Sequence, residues 1–194
     1  PNGEKVISHI SNMRPVKRIP DIIEIFYRIQ EKEDAILLMI GEGPEREKAE
    51  QQAKDLGIYS KVKFLGKTSE IRRLLCMSDL FLLTSSTESF GLVALEAMAA
   101  KVPVISSNAG GISEVNVHGE TGFLATIGDV ETMAEHSLTL LQNPKLHEEF
   151  KANAYRRAQE FSIDAVVPKY EAIYERALAT IREGKENDWT AQHL

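Results

Sequence analysis

The stretch KVISHISNMRPVKRIPDIIEIFYRIQEKEDAILLMIG (5–41) decides the fold, because it contains a strand, a helix and a second strand in succession. The runs KVISHIS (5–11) and AILLMIG (35–41) are apolar and of strand length. Between them, PDIIEIFYRIQEK (20–32) repeats its apolar residues at the helical period. Two strands joined by a helix lie parallel in one sheet through a right-handed crossover, so the sequence predicts a βαβ unit here.

The same alternation continues to residue 125. Further strands are predicted at 61–66, 79–85, 102–108 and 122–125, and further helices at 45–57, 68–78 and 91–100. Several of the strands are nearly continuous apolar runs, which is typical of a sheet covered by helices on both faces. The sequence therefore predicts an α/β fold, a Rossmann-like, doubly wound parallel sheet of about six strands. Ligands of such sheets bind where strand carboxyl ends lead into loops and helix N-termini.

From residue 129 onward the pattern is helical only. Helices are predicted at 129–143, which Pro144 ends, at 145–161, and at 165–183 after a cap at 162–164, with Pro168 in the first turn or at a kink. The polar tail at 184–194 is expected to be loosely held. We therefore divide the chain into a Rossmann-like domain, residues 1–160, and a C-terminal helix with its tail, residues 161–194.

Composition argues against several classes of protein. The 194 residues carry a net charge of −6, whereas nucleic-acid-binding and membrane-surface proteins need a positive face. No apolar run reaches the roughly 18 residues that span a bilayer, so no transmembrane segment is predicted. The single cysteine, Cys76, excludes an internal disulfide and fits a reducing, cytoplasmic location. Its helical, apolar surroundings in the sequence indicate core packing.

Glu96 is the single charged residue of the predicted helix GLVALEAMAA (91–100). On the helical period it shares a face with Leu92 and Val93. A carboxylate in such a setting needs good partners. Two interpretations remain open: a pair of ligand hydroxyls such as a ribose diol, or an ion pair with a nearby lysine or arginine.

Glu88 lies in the loop before this helix, and Ser89 is predicted to be the N-cap. The first turn is then expected to present backbone N–H groups to an anion, those of Phe90, Gly91, Leu92 and Val93. Glycine at position 91 leaves room for a ligand to approach the backbone. The alternative is that Glu88 only favours the positive end of the helix dipole, which contributes about 0.3–1 kcal/mol.

Three cations, Arg14, Lys17 and Arg18, cluster in SNMRPVKR (11–18), just before the first long helix of an otherwise acidic protein. Cations at a helix N-terminus oppose the helix dipole and gain nothing locally. A bound polyanion such as a diphosphate explains them, and a solvated basic loop is the alternative. The sequence thus marks a second candidate anion site.

Glycines mark two further loops. Gly110 and Gly111 open a short helical turn in NAGGISEVNVHGETG (108–122), and Gly41 begins GEGPE (41–45). Glycines after a strand permit close approach of a ligand to the backbone, and they also serve ordinary tight turns. Both interpretations stay open at each loop, and Gly41 is kept as a donor-binding candidate.

Several catalytic motifs are missing from the sequence. It has no G-x-x-x-x-G-K-[ST] loop for phosphates and no D-x-D pair for a metal ion. The five histidines lack metal-ligand spacing, and His9 and His118 are interpreted as structural. A nicotinamide-dependent dehydrogenase is disfavoured because G-x-G-x-x-G does not follow the first strand. The sequence therefore predicts neither a metal site nor a bound cofactor.

Taken together, four features resemble one family. These are Glu88 and Glu96 in an E-x7-E pattern, ESFGLVALEAMAAKVPVI (88–105), NAGGISEV (108–115) and ETGFL (120–124). In this order they resemble the C-terminal, donor-binding half of retaining nucleotide-sugar glycosyltransferases with two Rossmann domains, the GT-B architecture (glycosyl transferases group 1). The resemblance covers about residues 4–180 and implies an enzyme that transfers a sugar from a UDP-sugar.

The resemblance implies a role for each residue of the E-x7-E segment. Glu88 is expected to accept hydrogen bonds from donor-sugar hydroxyls, and Glu96 from the ribose diol. The backbone amides between them are expected to contact the rest of the donor, Phe90 and Gly91 the sugar, Leu92 and Val93 the phosphates. Glu88 and Lys17 are the residues that it implies in catalysis.

Lys17 matches the family's diphosphate-binding lysine, but Asn12 stands where the family usually has an arginine. Arg14 or Arg18 is the expected replacement. These cations and the helix N-terminus would stabilise charge on the leaving diphosphate in the place of a metal ion. The segment FLGK (64–67) resembles the part of the family that contacts the base, which implies roles for Lys67 and Thr68.

A narrower resemblance is to the branch that transfers N-acetylglucosamine from its UDP derivative to L-malate at the start of bacillithiol biosynthesis. HISNMRPVKRIPDII (9–23) carries it together with the 108–122 loop. Because the chain starts at Pro1 in a strand-like segment, we expect it to lack an N-terminal domain that binds most of the acceptor. The chain alone is then expected to bind nucleotide weakly and to catalyse no reaction. The segment from residue 163 onward, including Trp189, is expected to lack a packing partner.

Two other functions remain as alternatives. One is a UDP-sugar epimerase of the same two-domain architecture, which would not be expected to carry the E-x7-E helix. The other is a non-catalytic nucleotide-binding module that stands alone, for which half a cleft would suffice. Binding of uridine nucleotides but not of NAD would separate these two functions, and the glycosyltransferase, from a dehydrogenase.

Overall fold

The computed structural model describes residues 3–182. Within this range the strands are Lys5–Ile10 (β1), Ala35–Ile40 (β2), Val62–Gly66 (β3), Leu80–Leu83 (β4), Val104–Ser107 (β5) and Gly122–Ala125 (β6). The α-helices are Ile19–Gln30 (α1), Arg46–Asp55 (α2), Ile71–Cys76 (α3), Leu92–Ala99 (α4), Ile112–Val115 (α5), Val130–Leu141 (α6), Pro144–Gln159 (α7) and Ile163–Arg182 (α8). Two short 3₁₀ turns, Pro15–Lys17 and Tyr59–Lys61, complete the described part.

The six strands form one parallel sheet in the order β3-β2-β1-β4-β5-β6. β1 pairs with β2 along its whole length, from Lys5 opposite Ala35 to Ile10 opposite Ile40. On its other side β1 pairs with β4. The strand order reverses between β1 and β4, and the crevice outside the carboxyl ends of such a strand pair is where doubly wound sheets bind ligands. The predicted Rossmann-like α/β fold is confirmed.

Burial on both faces of the sheet explains the apolar runs in the sequence. Ile7 and Leu37 pack into the large core beneath α1 and α6, whereas Val6 and Leu38 point to the opposite face, where Leu74 of α3 covers them. Alternate residues of one strand therefore enter different cores, and neither face needs polar positions. α1 itself buries the stripe Ile19, Ile22, Ile23, Ile25, Phe26 and Ile29.

The third helix is shorter than predicted. The prediction placed it at 68–78, but α3 spans Ile71–Cys76. The Thr68 hydroxyl accepts a hydrogen bond from the backbone N–H of Glu70 at 3.0 Å, and this local turn competes with helix at positions 68–70. The core packing predicted for Cys76 is wrong, because α3 buries only Leu75 and the thiol is exposed.

Contacts divide the chain into a unit that ends at Ala158 and a unit that begins at Gln159. The second unit contains α8, which begins after Ser162, whose hydroxyl accepts from the Ala165 N–H at 3.3 Å, as the predicted cap requires. Pro168 lies inside α8 rather than in its first turn. Trp189 and the predicted tail lie outside the described residues. Among residues 3–182, no helix combines the length and the hydropathy needed to cross a membrane.

Candidate functional site

A cleft of about 440 Å³ opens at the carboxyl ends of β1 and β4, where the strand order reverses. It brings together segments that are more than 70 residues apart in the sequence. Its walls are formed by Ile10, Ser11, Asn12, Lys17, Glu88, Ser89, Phe90, Gly91, Leu92, Val93 and Glu96. All members of the predicted E-x7-E site line it, as do the predicted Asn12 and Lys17. Ile10 and Ser11 were not predicted as site residues, and Ser89 was predicted only as a helix cap.

Lys17 and Glu88 form an ion pair across this cleft. The Lys17 Nζ lies 2.8 Å from the Glu88 Oε2, and fewer than a fifth of each side chain is exposed, 18% and 16%. The Ser85 hydroxyl donates to the same carboxylate oxygen at 3.1 Å. The Thr84 hydroxyl donates to the backbone carbonyl of Lys17 at 2.7 Å, so the two residues that follow β4 support both partners. The predicted diphosphate cation and the predicted sugar carboxylate therefore contact each other directly.

The backbone of Glu88 is held by the glycines of the 108–122 loop. The Gly111 N–H donates to the Glu88 carbonyl oxygen at 2.9 Å. A Cβ on Gly110 would overlap the same carbonyl group, and a Cβ on Gly111 would overlap the carbonyl of Ser89. The sequence left open a ligand contact or an ordinary tight turn, and the geometry adds a third role, close packing of this loop against the Glu88 loop. The glycine pair acts on the cleft by positioning Glu88.

α4 begins at Leu92, and its N-cap is Gly91 rather than Ser89, which corrects the prediction. Gly91 has a φ of 92°, a left-handed conformation that favours glycine, and a Cβ there would overlap the Ile112 side chain. No side chain of the described residues caps this helix. The N–H groups of Leu92 and Val93 have no acceptor within the helix and lie at the cleft wall, where they can bind an anion.

Glu96 lies one turn into α4 on the cleft wall. It is exposed, as is Leu92 on the same face, whereas Ala94, Ala97 and Met98 face the core. Among the side chains that the structure describes, those of residues 3–180, no lysine, arginine or histidine nitrogen lies within ion-pair distance of its carboxylate. Of the two interpretations from sequence, the geometry favours ligand hydroxyls over an ion pair.

The structure does not bring Arg14 or Arg18 into the cleft. Arg14 is exposed before the Pro15–Lys17 turn. The Arg18 Nε lies 2.6 Å from the Asp21 carboxylate, and its guanidinium lies beside Gly128. Arg18 has a left-handed φ of 49°, which turns the chain into α1 and directs the side chain along that helix. Neither arginine therefore takes the place of the diphosphate-binding arginine that Asn12 replaces in this sequence.

The remaining predicted residues also lie outside the cleft. Gly41 uses its N–H to donate to the Gly66 carbonyl at 2.8 Å, and a Cβ on it would overlap the Ser11 backbone, so its role here is structural. Lys67 is exposed beyond the end of β3. Thr68 lines a separate hollow beside α3.

His9 supports the cleft from inside the sheet. Its ring is wholly buried. Because a carbonyl only accepts, Nδ1 carries the proton and donates to the Leu82 carbonyl at 2.9 Å. Nε2 then accepts from the Ser11 hydroxyl at 2.7 Å. Ser11 in turn accepts from the Met13 N–H at 3.0 Å and fixes the loop after β1. Burial lowers the pKa of His9 to about 4, against the opposing effect of the Leu82 hydrogen bond, and the Lys17 charge lowers it further.

The other histidines near the sheet edge form a structural cluster. His118 Nδ1 accepts from the Leu124 N–H at 3.0 Å, and the rings of Phe123 and His136 stack at 4.3 Å. Burial, and then the proximity of His118, lower the pKa of His136. Within residues 3–182, no group of three His, Cys, Asp or Glu side chains is placed to hold a metal ion.

Comparison with known proteins gives a family and curated relatives. A sequence model of the family described as Glycosyl transferases group 1 matches residues 1–157. The N-acetyl-alpha-D-glucosaminyl L-malate synthase of Bacillus anthracis is 44% identical over 184 residues, 94% of this chain and 48% of that protein. The chain spans about half the length of the curated relatives that it matches.

Solved structures share the fold. The crystal structure of Anabaena HepE in complex with UDP-glucose matches with a TM-score of 0.80 at 30% identity, covering 91% of this chain and 49% of that one. A variant of S. aureus TarM in complex with fondaparinux, alpha-GlcNAc-glycerol and UDP matches with a TM-score of 0.82 at 28% identity, covering 88% and 35%.

Proposed function

The chain belongs to the family Glycosyl transferases group 1, and from this premise we propose that its cleft binds a UDP-sugar and supplies the donor half of a sugar-transfer site. One observation carries the proposal. A lysine, two carboxylates and an uncapped helix N-terminus meet in a single cleft at the point where the strand order reverses. Each of these groups suits a different part of a nucleotide sugar.

The donor is assigned along the cleft by the chemistry of each group. The exposed Glu96 carboxylate, which lacks an ion pair among the described residues, accepts from the two ribose hydroxyls. The N–H groups of Leu92 and Val93 bind phosphate oxygens, which the positive end of α4 favours. Lys17 reaches the diphosphate, and Glu88 accepts from hydroxyls of the sugar. The finer assignment of N-acetylglucosamine is supported by the Bacillus anthracis relative.

The proposed reaction is glycosyl transfer with retention. The bond between the anomeric carbon and the β-phosphate oxygen breaks, and negative charge develops on that phosphate. Lys17 and the N-terminus of α4 stabilise this charge, and each charge-assisted hydrogen bond is worth about 1.5–3 kcal/mol. A phosphate oxygen of the donor is the proposed acceptor of the proton from the attacking hydroxyl. These groups take the role of a metal ion, so a chelator should leave donor affinity unchanged.

L-malate is the proposed acceptor, on the strength of the same relative. Because the chain spans about half the length of such relatives, we place most acceptor contacts outside residues 1–194. The chain alone, given UDP-N-acetylglucosamine and L-malate, is then expected to form no glycosylated malate. Mass-spectrometric detection of that product would overturn this part of the proposal.

Thermal unfolding tests the donor assignment. A ligand that binds only the folded state raises the melting temperature, so UDP and UDP-N-acetylglucosamine should raise it and NAD should not. Glu96→Ala should abolish the shift while leaving the stability of the ligand-free protein within about 0.5 kcal/mol, because Glu96 is exposed.

Glu47→Ala is the matched control, since Glu47 is an exposed glutamate in the first turn of α2 and does not line the cleft. This variant should retain the full ligand-induced shift. Stabilisation by NAD, or an unchanged shift in Glu96→Ala, contradicts the proposed function.

A further inference from the structure

Two charged groups of the cleft, Lys17 and Glu88, already satisfy each other. Lys17 Nζ and Glu88 Oε2 are 2.8 Å apart, and both side chains are more than four-fifths buried. In the proposed complex these two groups contact different parts of the donor, the ammonium a phosphate and the carboxylate the sugar. Donor binding must therefore share or break an ion pair that already exists.

Hydrogen bonds hold the backbone of both Glu88 and Lys17 in place. The Gly111 N–H holds the Glu88 carbonyl at 2.9 Å, and Gly110 packs against it without room for a side chain. The Thr84 hydroxyl holds the Lys17 carbonyl at 2.7 Å. A diphosphate that approaches Lys17 thus meets a carboxylate that stays close to the same ammonium.

Free UDP and the intact donor differ in how they compensate this carboxylate. At Glu88, UDP presents only the anionic oxygens of its diphosphate, so the carboxylate loses part of its lysine contact and faces a like charge. A UDP-sugar carries hydroxyl groups that donate hydrogen bonds to the carboxylate and replace what the lysine gave up. The Ser85 hydroxyl stays on the carboxylate in both complexes, so the cost of weakening the contact with its cation falls on UDP, which has no sugar hydroxyls to replace it.

Resting on the proposed function, we propose that the Lys17–Glu88 ion pair makes the cleft discriminate against free nucleoside diphosphate and in favour of the intact sugar donor. Glu88 is then a specificity-determining residue as well as a sugar contact. The same repulsion promotes release of the nucleoside diphosphate once the sugar has left, because the carboxylate loses its hydroxyl partners while the diphosphate is still bound.

Calorimetric titration of UDP and of UDP-N-acetylglucosamine into the wild type and Glu88→Gln tests the inference. Glutamine keeps the size of the side chain and an oxygen that accepts from Lys17 and Ser85, so the fold is retained. We expect Glu88→Gln to bind UDP more tightly and UDP-N-acetylglucosamine no more tightly, so the ratio of the two dissociation constants changes about tenfold in favour of UDP.

Glu42→Gln is the control for the loss of one negative charge, because Glu42 pairs with Arg46 at 2.9 Å and does not line the cleft. In this variant the ratio of the dissociation constants for UDP and UDP-N-acetylglucosamine should equal that of the wild type. Equal changes for both ligands in Glu88→Gln, or weaker UDP binding, overturn the inference while the proposed function stands. A wild type that binds neither nucleotide overturns the proposed function and this inference together.

Discussion

Gly110 lies against the backbone carbonyl oxygen of Glu88 so closely that a Cβ at position 110 would overlap it. The next residue, Gly111, donates its N–H to that same oxygen at 2.9 Å. A loop that contributes no side chain to the cleft therefore sets the position of the carboxylate that does. The function of a glycine loop after a strand is here to hold another loop.

Gly110→Ala should displace the Glu88 loop. The new methyl group meets backbone atoms, which cannot rotate away, at a residue whose φ of 59° already disfavours alanine. We expect the free energy of unfolding to fall by about 2–4 kcal/mol and donor affinity to be lost.

Gly119→Ala is the matched control, because Gly119 also has a positive φ but no atom lies within 4 Å of the added Cβ. It should lose only about 1–2 kcal/mol and keep its affinity. Urea unfolding and calorimetry measure both.

Lys17→Met should weaken UDP binding at least tenfold, because the cleft loses its ammonium group. It should also lower the free energy of unfolding by about 1–2 kcal/mol, since the partly buried Glu88 carboxylate loses its cation. Arg14→Met and Arg18→Met should each change UDP affinity less than threefold, as neither arginine lines the cleft. A tenfold loss in either arginine variant would show that this side chain moves to the diphosphate on binding.

Stability should fall with acid because His9 is buried without charge. Its folded pKa of about 4 lies below the value of about 6.5 in the unfolded chain, so between these pH values only the unfolded state takes up the proton. The stabilisation of the folded state by neutral His9 is complete above pH 6.5. It is lost progressively down to pH 4, by about 3 kcal/mol in all. Urea unfolding at a series of pH values should show a flatter slope in His9→Gln than in the wild type. His136, whose pKa is also lowered, should leave a residual slope. Parallel slopes would contradict the assignment.

Asn116 should be worth more to stability than its size suggests. Its wholly buried amide donates to the Val104 carbonyl at 3.1 Å and the Ser106 hydroxyl at 3.0 Å, and accepts from the Thr121 hydroxyl at 3.0 Å. Asn116→Ala removes all three hydrogen bonds from a buried site, and we expect a loss of about 3 kcal/mol in the free energy of unfolding. Asn153→Ala, which removes an exposed hydrogen bond to Glu120, should cost less than about 1 kcal/mol in the same measurement.

The order of strands and helices could be predicted because it depends on local periodicity. The apolar run at 35–41 and the helical repeat at 20–32 differ in period, and no distant residue is needed to tell them apart. The limits of elements were less accurate. Thr68 diverts the chain into a turn before α3, and the left-handed Gly91 caps α4 two residues after the predicted cap, Ser89.

The sequence by itself determined the fold class, the E-x7-E segment and the family, because each is recorded in neighbouring residues or in their spacing. Only the tertiary structure decided how the candidate residues are used. It paired Lys17 with Glu88 and placed Gly110 against the Glu88 carbonyl. The physical reason is that a side chain's partners are set by which elements the sheet brings side by side. β1 and β4 are neighbours in the sheet but far apart in the chain, and no local pattern records that contact.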